Sequence, residues 1–241
     1  MNEKVMEIAH CISKIPGAKR ILKPIYYPFK KVYVNKHNKK FREHSLELMK
    51  CFDQCMKENN ISYTLIFGSM LGAIREKGFI KHDLDIDVAI PIEEKTGKLY
   101  EGLIKYNFVL KKRFTIEDGS LGCEETFEFN NTGVTIDLFF ICPPIDSLPY
   151  CCCWNLMGDT VTASESMRRY GGLIPRRIEL PFSKKYKRVP FESIEVSIDE
   201  NAVLILEYTY GPSYMTPDPN YIVPSEHRVI WQEKKAIYQV F

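Results

Sequence analysis

A chain of 241 residues and 28.1 kDa is long enough to bury a substantial core, and 45% hydrophobic with 12% aromatic residues is globular composition. This excludes a largely disordered, collagen-like or coiled-coil chain, and no stretch reaches the roughly 20 apolar residues that cross a bilayer. The net charge of +2 conceals an asymmetry: residues 1–40 carry ten Lys/Arg against Glu3 and Glu7, so the remainder sums to −6.

In that basic start, Ile12, Ile15, Ile21, Leu22, Ile25, Tyr26, Tyr27, Phe29 and Tyr33 are threaded among the cations. Such a segment suits an anionic membrane surface, or equally a solvated, partly helical extension packed on the main domain. Residues 1–40 are therefore expected to form a basic amphipathic N-terminal extension, and 41–241 the domain proper. The first thirty residues hold no apolar signal core, being broken by Lys14, Pro16, Lys19, Arg20, Lys23 and Pro24, which predicts an intracellular soluble protein. The eight cysteines then read as reduced thiols, and the absence of a CxxC pair signals a closed zinc site poorly, Cys142 and Cys151–Cys153 included.

Residues 41–59 place Leu46, Met49, Phe52 and Met56 at helical spacing, which predicts an amphipathic helix stopped at Asn59-Asn60. ISYTLIF alternates Ile61, Tyr63, Leu65 and Phe67, the pattern of a strand that runs into Gly68-Ser69 and a helix up to Gly78. DLDIDVAIP reads as a second strand closed by Pro91, residues 93–106 look helical, and VTIDLFFI at 134–141 suits a central strand. After Pro143-Pro144 the chain reads as irregular until 199–211, a short helix stopped by Gly211-Pro212. The class is mixed α/β (α+β), with a mixed sheet flanked by helices and an irregular C-terminal half.

The chemistry concentrates in 61–91. A strand delivers Gly68-Ser69 to a helix start, where unpaired N–H groups suit a phosphate; a plain turn with Ser69 as cap is the alternative. On a strand, Asp85 and Asp87 project from one face roughly 6.5–7 Å apart, able to straddle paired Mg²⁺ ions. Leu84, Ile86 and Val88 face the core, and Asp83 shares the aspartate parity. Asp137 interrupts the apolar strand Val134–Ile141, and a buried carboxylate needs a partner, either a salt bridge or a metal shared with Asp85 and Asp87. Residues 167–190 hold eight Lys/Arg against Glu179, a diphosphate-binding patch or a solvated basic face. No recognition module accompanies that patch, so no nucleic acid is expected.

Strand, Gly-Ser, helix, Asp-x-Asp strand and a later strand with a third Asp together resemble the nucleotidyltransferase superfamily. FGSMLGAIREKGFIKHDLDIDVAI resembles, more closely, the LicD family of phosphocholine transferases and its fukutin-related members. Their pattern runs Phe-Gly-Thr-Leu-Leu-Gly, a basic residue, then Gly-x-Ile-Pro-Trp-Asp-Asp-Asp-x-Asp. TIDLFFI resembles the family's later strand, and YGPSYMTP at 210–217 its C-terminal element; the likeness spans about residues 41–220. Ser69 replaces Thr and keeps the hydroxyl, Lys81-His82 replaces Pro-Trp, and Leu84 replaces the middle Asp of the triple.

The resemblance implies metal-dependent transfer of a phospho-alcohol, phosphocholine-like, from a CDP-activated donor to a sugar hydroxyl of a cell-surface glycan precursor, such as lipopolysaccharide or capsule, with release of CMP. By that resemblance Asp85, Asp87 and Asp137 are catalytic and hold Mg²⁺ or Mn²⁺, Asp137 also accepting the acceptor hydroxyl's proton. Gly68, Ser69, Arg75 and His82 would bind substrate, although Arg75 equally suits an ion pair with Glu76 or Asp83. The implied partners are a CDP-alcohol donor and a glycan or glycolipid acceptor. The implied place is cytoplasmic, peripheral at the inner face of the membrane. The alternatives are an NMP-transferring enzyme that releases pyrophosphate, or a non-catalytic nucleotide- or metal-binding relative.

Overall fold

The computed structural model describes the backbone of residues 18–81, 83–218 and 228–241, and the side chains within those spans from residue 35 onward. A long helix, α1 (Ala18–Asn59), contains the expected 41–59 helix as its C-terminal part. It passes Pro24, Pro28 and the expected boundary at residue 40 without a break; residues 1–17 of the expected extension lie outside the described residues. Phe41, Leu48, Met49, Phe52, Cys55 and Met56 recur at helical spacing and are all buried. The helix stops where the Asn59 side-chain amide donates to the Cys55 carbonyl at 2.8 Å and Asn60 turns to φ +53°.

The next elements are β1 (Thr64–Leu65), α2 (Phe67–Arg75), β2 (Ile86–Pro91), a 3₁₀ turn (Ile92–Glu94), α3 (Gly97–Lys105), β3 (Phe108–Ile116), β4 (Cys123–Phe129) and β5 (Thr135–Ile141). With β11 (Ala236–Val240) they build a six-stranded sheet in the order β1-β2-β5-β4-β3-β11. β2 and β5 run parallel and every other neighbouring pair is antiparallel, so the sheet is mixed and flanked by helices. Ile86, Val88, Ile90, Ile136, Leu138 and Phe140 are fully buried, each stabilising the fold by about 1.5–3 kcal/mol. α3 packs closely on α1: a Cβ at Gly102 would meet the Asn59 amide at 2.6 Å and the Cys55 thiol at 2.9 Å, so a larger residue there would have to displace one of those side chains.

The C-terminal half is regular, which corrects the expectation of an irregular one. It contains β6 (Tyr150–Asn155), α4 (Ala163–Tyr170), β7 (Ile174–Glu179), β8 (Tyr186–Phe191), β9 (Ile194–Asp199), α5 (Ala202–Tyr210) and β10 (Arg228–Ile230). β10-β7-β6 form a three-stranded sheet and β8-β9 a hairpin. Its prolines and basic residues disguise strands that are largely solvated, as in β8, where Lys187, Arg188 and Pro190 are exposed. Two further expectations shorten: the 61–67 strand reduces to Thr64–Leu65, and the second strand begins at Ile86, so Asp83 and Asp85 precede it.

The hairpin is tied to α1 through a buried carboxylate. Arg188 donates to both oxygens of Asp53 at 2.5 and 2.9 Å, Lys57 pairs with it at 2.8 Å, and the Tyr63 hydroxyl donates at 2.7 Å. Burial alone would raise the Asp53 pKa, but these donors override it and hold the carboxyl below its usual range.

Candidate active site

In the parallel β2–β5 pair, Asp87 and Asp137 are Cα partners, so their side chains leave the same face of neighbouring strands. Asp85 sits in the bend just before β2 rather than in the strand. One carboxylate oxygen from each of Asp85, Asp87 and Asp137 lies within 4.8 Å of the others. None of the three forms an ion pair among the described residues, in contrast to Asp53.

Uncompensated negative charge in a partly buried site must shift these groups toward protonation. Burial, reinforced by Asp85, Asp137, Glu124 and Asp83, lifts the Asp87 carboxyl well above the usual carboxylate range. Burial likewise pushes Asp137 up to about 6, with Asp85 adding to the effect and a Thr126 hydrogen bond and Lys112 opposing it. Asp85 is raised by burial, against the pull of backbone N–H bonds and His37. Three oxygen donors converging without a cation of the chain's own are a donor set for a hard divalent ion.

The neighbours fix these carboxylates. The Thr126 hydroxyl on β4 donates to Asp137 Oδ1 at 2.5 Å. Ser69 is buried in the first turn of α2, and its hydroxyl oxygen accepts the Asp87 backbone N–H at 2.9 Å, locking the helix start to the strand that carries Asp87. The cap position belongs to Ile66, which makes no side-chain cap bond, so Ser69 is not the cap. Gly68 packs beneath Asp83: a Cβ there would sit 3.1 Å from Asp83 Oδ2, so the space over this glycine holds a carboxylate.

The other expected binding residues are placed differently. Arg75, the last residue of α2, donates to Glu76 at 2.8 Å and to the Tyr214 carbonyl at 3.2 Å, joining the helix to the 210–217 element instead of to the carboxylates. His82 lies outside the described residues. Within 167–190, Arg168 and Arg169 pair with Glu165, Arg177 with Asp146 and Glu179, Lys184 with Glu93, and Arg188 with Asp53. Most of that patch thus answers the chain's own acids.

Glu124, Thr126, Lys112 and His37 escaped the sequence reading, although each acts on the site. Burial and the nearby Asp137 push the Glu124 carboxyl up to about 8, a hydrogen bond with Trp154 and the Lys112 charge opposing. The signal for Glu124 and Thr126 was present: CEETFEF alternates them with the core-facing Cys123, Phe127 and Phe129. Seven cysteines among the described residues are free thiols, with Cys142, Cys151 and Cys152 buried. No described helix is long and apolar enough to cross a membrane.

Residues 60–148, which span α2, β2 and β5, match the family model described as LicD/FKTN/FKRP, nucleotidyltransferase domain. Over 177 residues the chain is 26% identical to "Ribitol-5-phosphate transferase FKTN" of Mus musculus. That similarity covers 73% of this chain but only 34% of the mouse protein.

Proposed function

We propose, from the match of residues 60–148 to the LicD/FKTN/FKRP nucleotidyltransferase-domain model, that the protein transfers a phospho-alcohol from a CDP-activated donor to a sugar hydroxyl, releasing CMP. The observation that carries the reading is the convergence of Asp85, Asp87 and Asp137 within 4.8 Å, three carboxylates without an ion pair among the described residues. These three would hold Mg²⁺ or Mn²⁺, which neutralises diphosphate charge and so favours departure of CMP.

The chain's own part is positioning. Thr126 holds Asp137 by one oxygen and thereby sets the direction of the other, which takes the acceptor hydroxyl's proton. Ser69 fixes the Asp87 backbone and couples the start of α2 to it. The parallel pairing of β2 with β5 holds Asp87 and Asp137 at one separation, so little ordering remains when substrates arrive. Among alcohols, an alditol phosphate is the first to try, because the mouse relative is named for ribitol 5-phosphate. A glycan or glycolipid is the acceptor, and the basic 1–40 stretch supports contact with an anionic, cytoplasmic membrane face.

The test incubates the protein with Mg²⁺, a membrane glycolipid extract and, separately, CDP-ribitol, CDP-choline or CTP, followed by ³¹P NMR and mass spectrometry. CMP release that depends on the extract, and is abolished in Asp137→Asn, is the expected result. Pyrophosphate from CTP, with the CDP-alcohols untouched, would move the protein to the NMP-transferring branch.

A further inference from the structure

Four neighbouring strands set four residues in one straight row. Lys112 on β3 is the Cα partner of Thr126 on β4, Thr126 of Asp137 on β5, and Asp137 of Asp87 on β2. Cα partners share a sheet face, so an ammonium, a hydroxyl and two carboxylates stand side by side at strand spacings of about 4.8 Å. The row depends on a bulge. Leu110 opposes Phe127 and Lys112 opposes Thr126, which leaves Lys111 as the extra residue. Without it Lys111 would occupy the row. Bulges re-aim side chains in this way beside active sites.

The two lysines so separated differ in their partners. Lys111 pairs with Glu128 at 3.2 Å, whereas Lys112 is exposed and forms no ion pair among the described residues. The Lys112 charge nonetheless reaches Asp137 and Glu124, favouring their ionised forms. An exposed cation about two strands from a carboxylate cluster, on its face and not neutralised by it, is placed for an anion that bridges the two. A diphosphate is such an anion, with one end at the metal-binding carboxylates and the other within the roughly 6 Å reach of a lysine side chain.

We propose that Lys112 is a donor-binding residue that contacts the diphosphate of the nucleotide, an inference that rests on the phosphotransfer reading given above. Thr126, which stands between the two in the row, orients Asp137 through its hydroxyl. If Lys112 merely balanced Asp137 and Glu124, its removal would alter affinity for the divalent ion but not the preference for a second phosphate.

The full chain, with Mg²⁺, is titrated calorimetrically with CDP, CMP and inorganic pyrophosphate, comparing wild type with Lys112→Ala, Lys112→Arg and Lys111→Ala. Loss of one charge-assisted contact weakens binding on the order of tenfold or more. Lys112→Ala is expected to lose that factor for CDP and pyrophosphate, to lose less for CMP, and to show a shallower salt dependence. Lys112→Arg should largely restore binding, and Lys111→Ala should match wild type. Equal losses for CDP and CMP, or unchanged affinity in Lys112→Ala, would overturn the assignment while the phosphotransfer reading stands. Pyrophosphate binding that needs Lys112, in a protein that binds no nucleotide, would support the assignment and overturn that reading. A wild type that binds none of the three probes overturns both.

Discussion

The two faces of β4 treat carboxylates in opposite ways. On one face Glu125 is fully buried, yet Arg113 donates to it at 2.7 Å and the Tyr100 hydroxyl at 2.9 Å. On the other, Glu124 and Thr126 look across to Asp137 and Asp87, where no arginine or lysine forms an ion pair with the aspartates among the described residues. Buried charge is costly on both faces. The first is balanced within the chain, as Asp53 is by Arg188 and Lys57, whereas the aspartates of the second have no such ion pair among the described residues. Stability and proposed chemistry are thus divided across the thickness of one strand.

The comparison breaks most sharply on the open face. Asp87→Asn should lower turnover by about 10³-fold, the scale for loss of a charge-positioning group. It should leave the melting temperature unchanged or raised at pH 7.5, because it removes a like charge. An Asp87→Asn protein that unfolds in calorimetry at much lower temperature would place that carboxylate in the structural class. On the balanced side, Asp53→Ala strands Arg188 and should destabilise folding by about 3–5 kcal/mol in urea titration, with divalent-ion affinity unchanged. A smaller effect is expected of Thr126→Val. Losing one hydrogen bond should slow turnover by about tenfold at nearly constant KM, with stability changed by about 1 kcal/mol.

Protons supply the gentlest probe. Burial pushes the Asp137 carboxyl up to about 6 in the folded protein, above its unfolded value, so its share of metal-free stability is complete at low pH and is lost as pH rises through 6. A divalent ion, which needs the ionised form, should therefore raise the melting temperature more at pH 7.5 than at pH 5.5. An ion-induced shift that stays flat across that window would remove Asp137 from the ligand set.

Much of this asymmetry was legible in the amino acids. Asp85, Asp87 and Asp137 announce themselves because each stands among large aliphatics, where a carboxylate must find a partner. The third row member, Thr126, and its neighbour Glu124 did not, since their strand was never delimited. The bulge at Lys111 breaks the two-residue period in β3, and in β4 a buried Glu125 interrupts the expected apolar face. The long α1 was hidden by Pro24 and Pro28, residues that ordinarily end helices. Arg75 shows the opposite failure, a plausible ligand by sequence that the fold assigns to Glu76 and the Tyr214 carbonyl.

The lone parallel pairing in the sheet has a temporal consequence. Asp87 and Asp137 lie about fifty residues apart in the chain, and α3, β3 and β4 must be threaded between them before β2 can meet β5. Closing so long a loop is an entropic cost that short hairpins do not carry. The cluster accordingly comes into existence only with the central sheet, and no fragment ending before β5 can possess it. Under the proposed reading, a divalent ion bound there would be a seal on completed folding: it would slow unfolding of the finished molecule and leave the early steps of its assembly at their own pace.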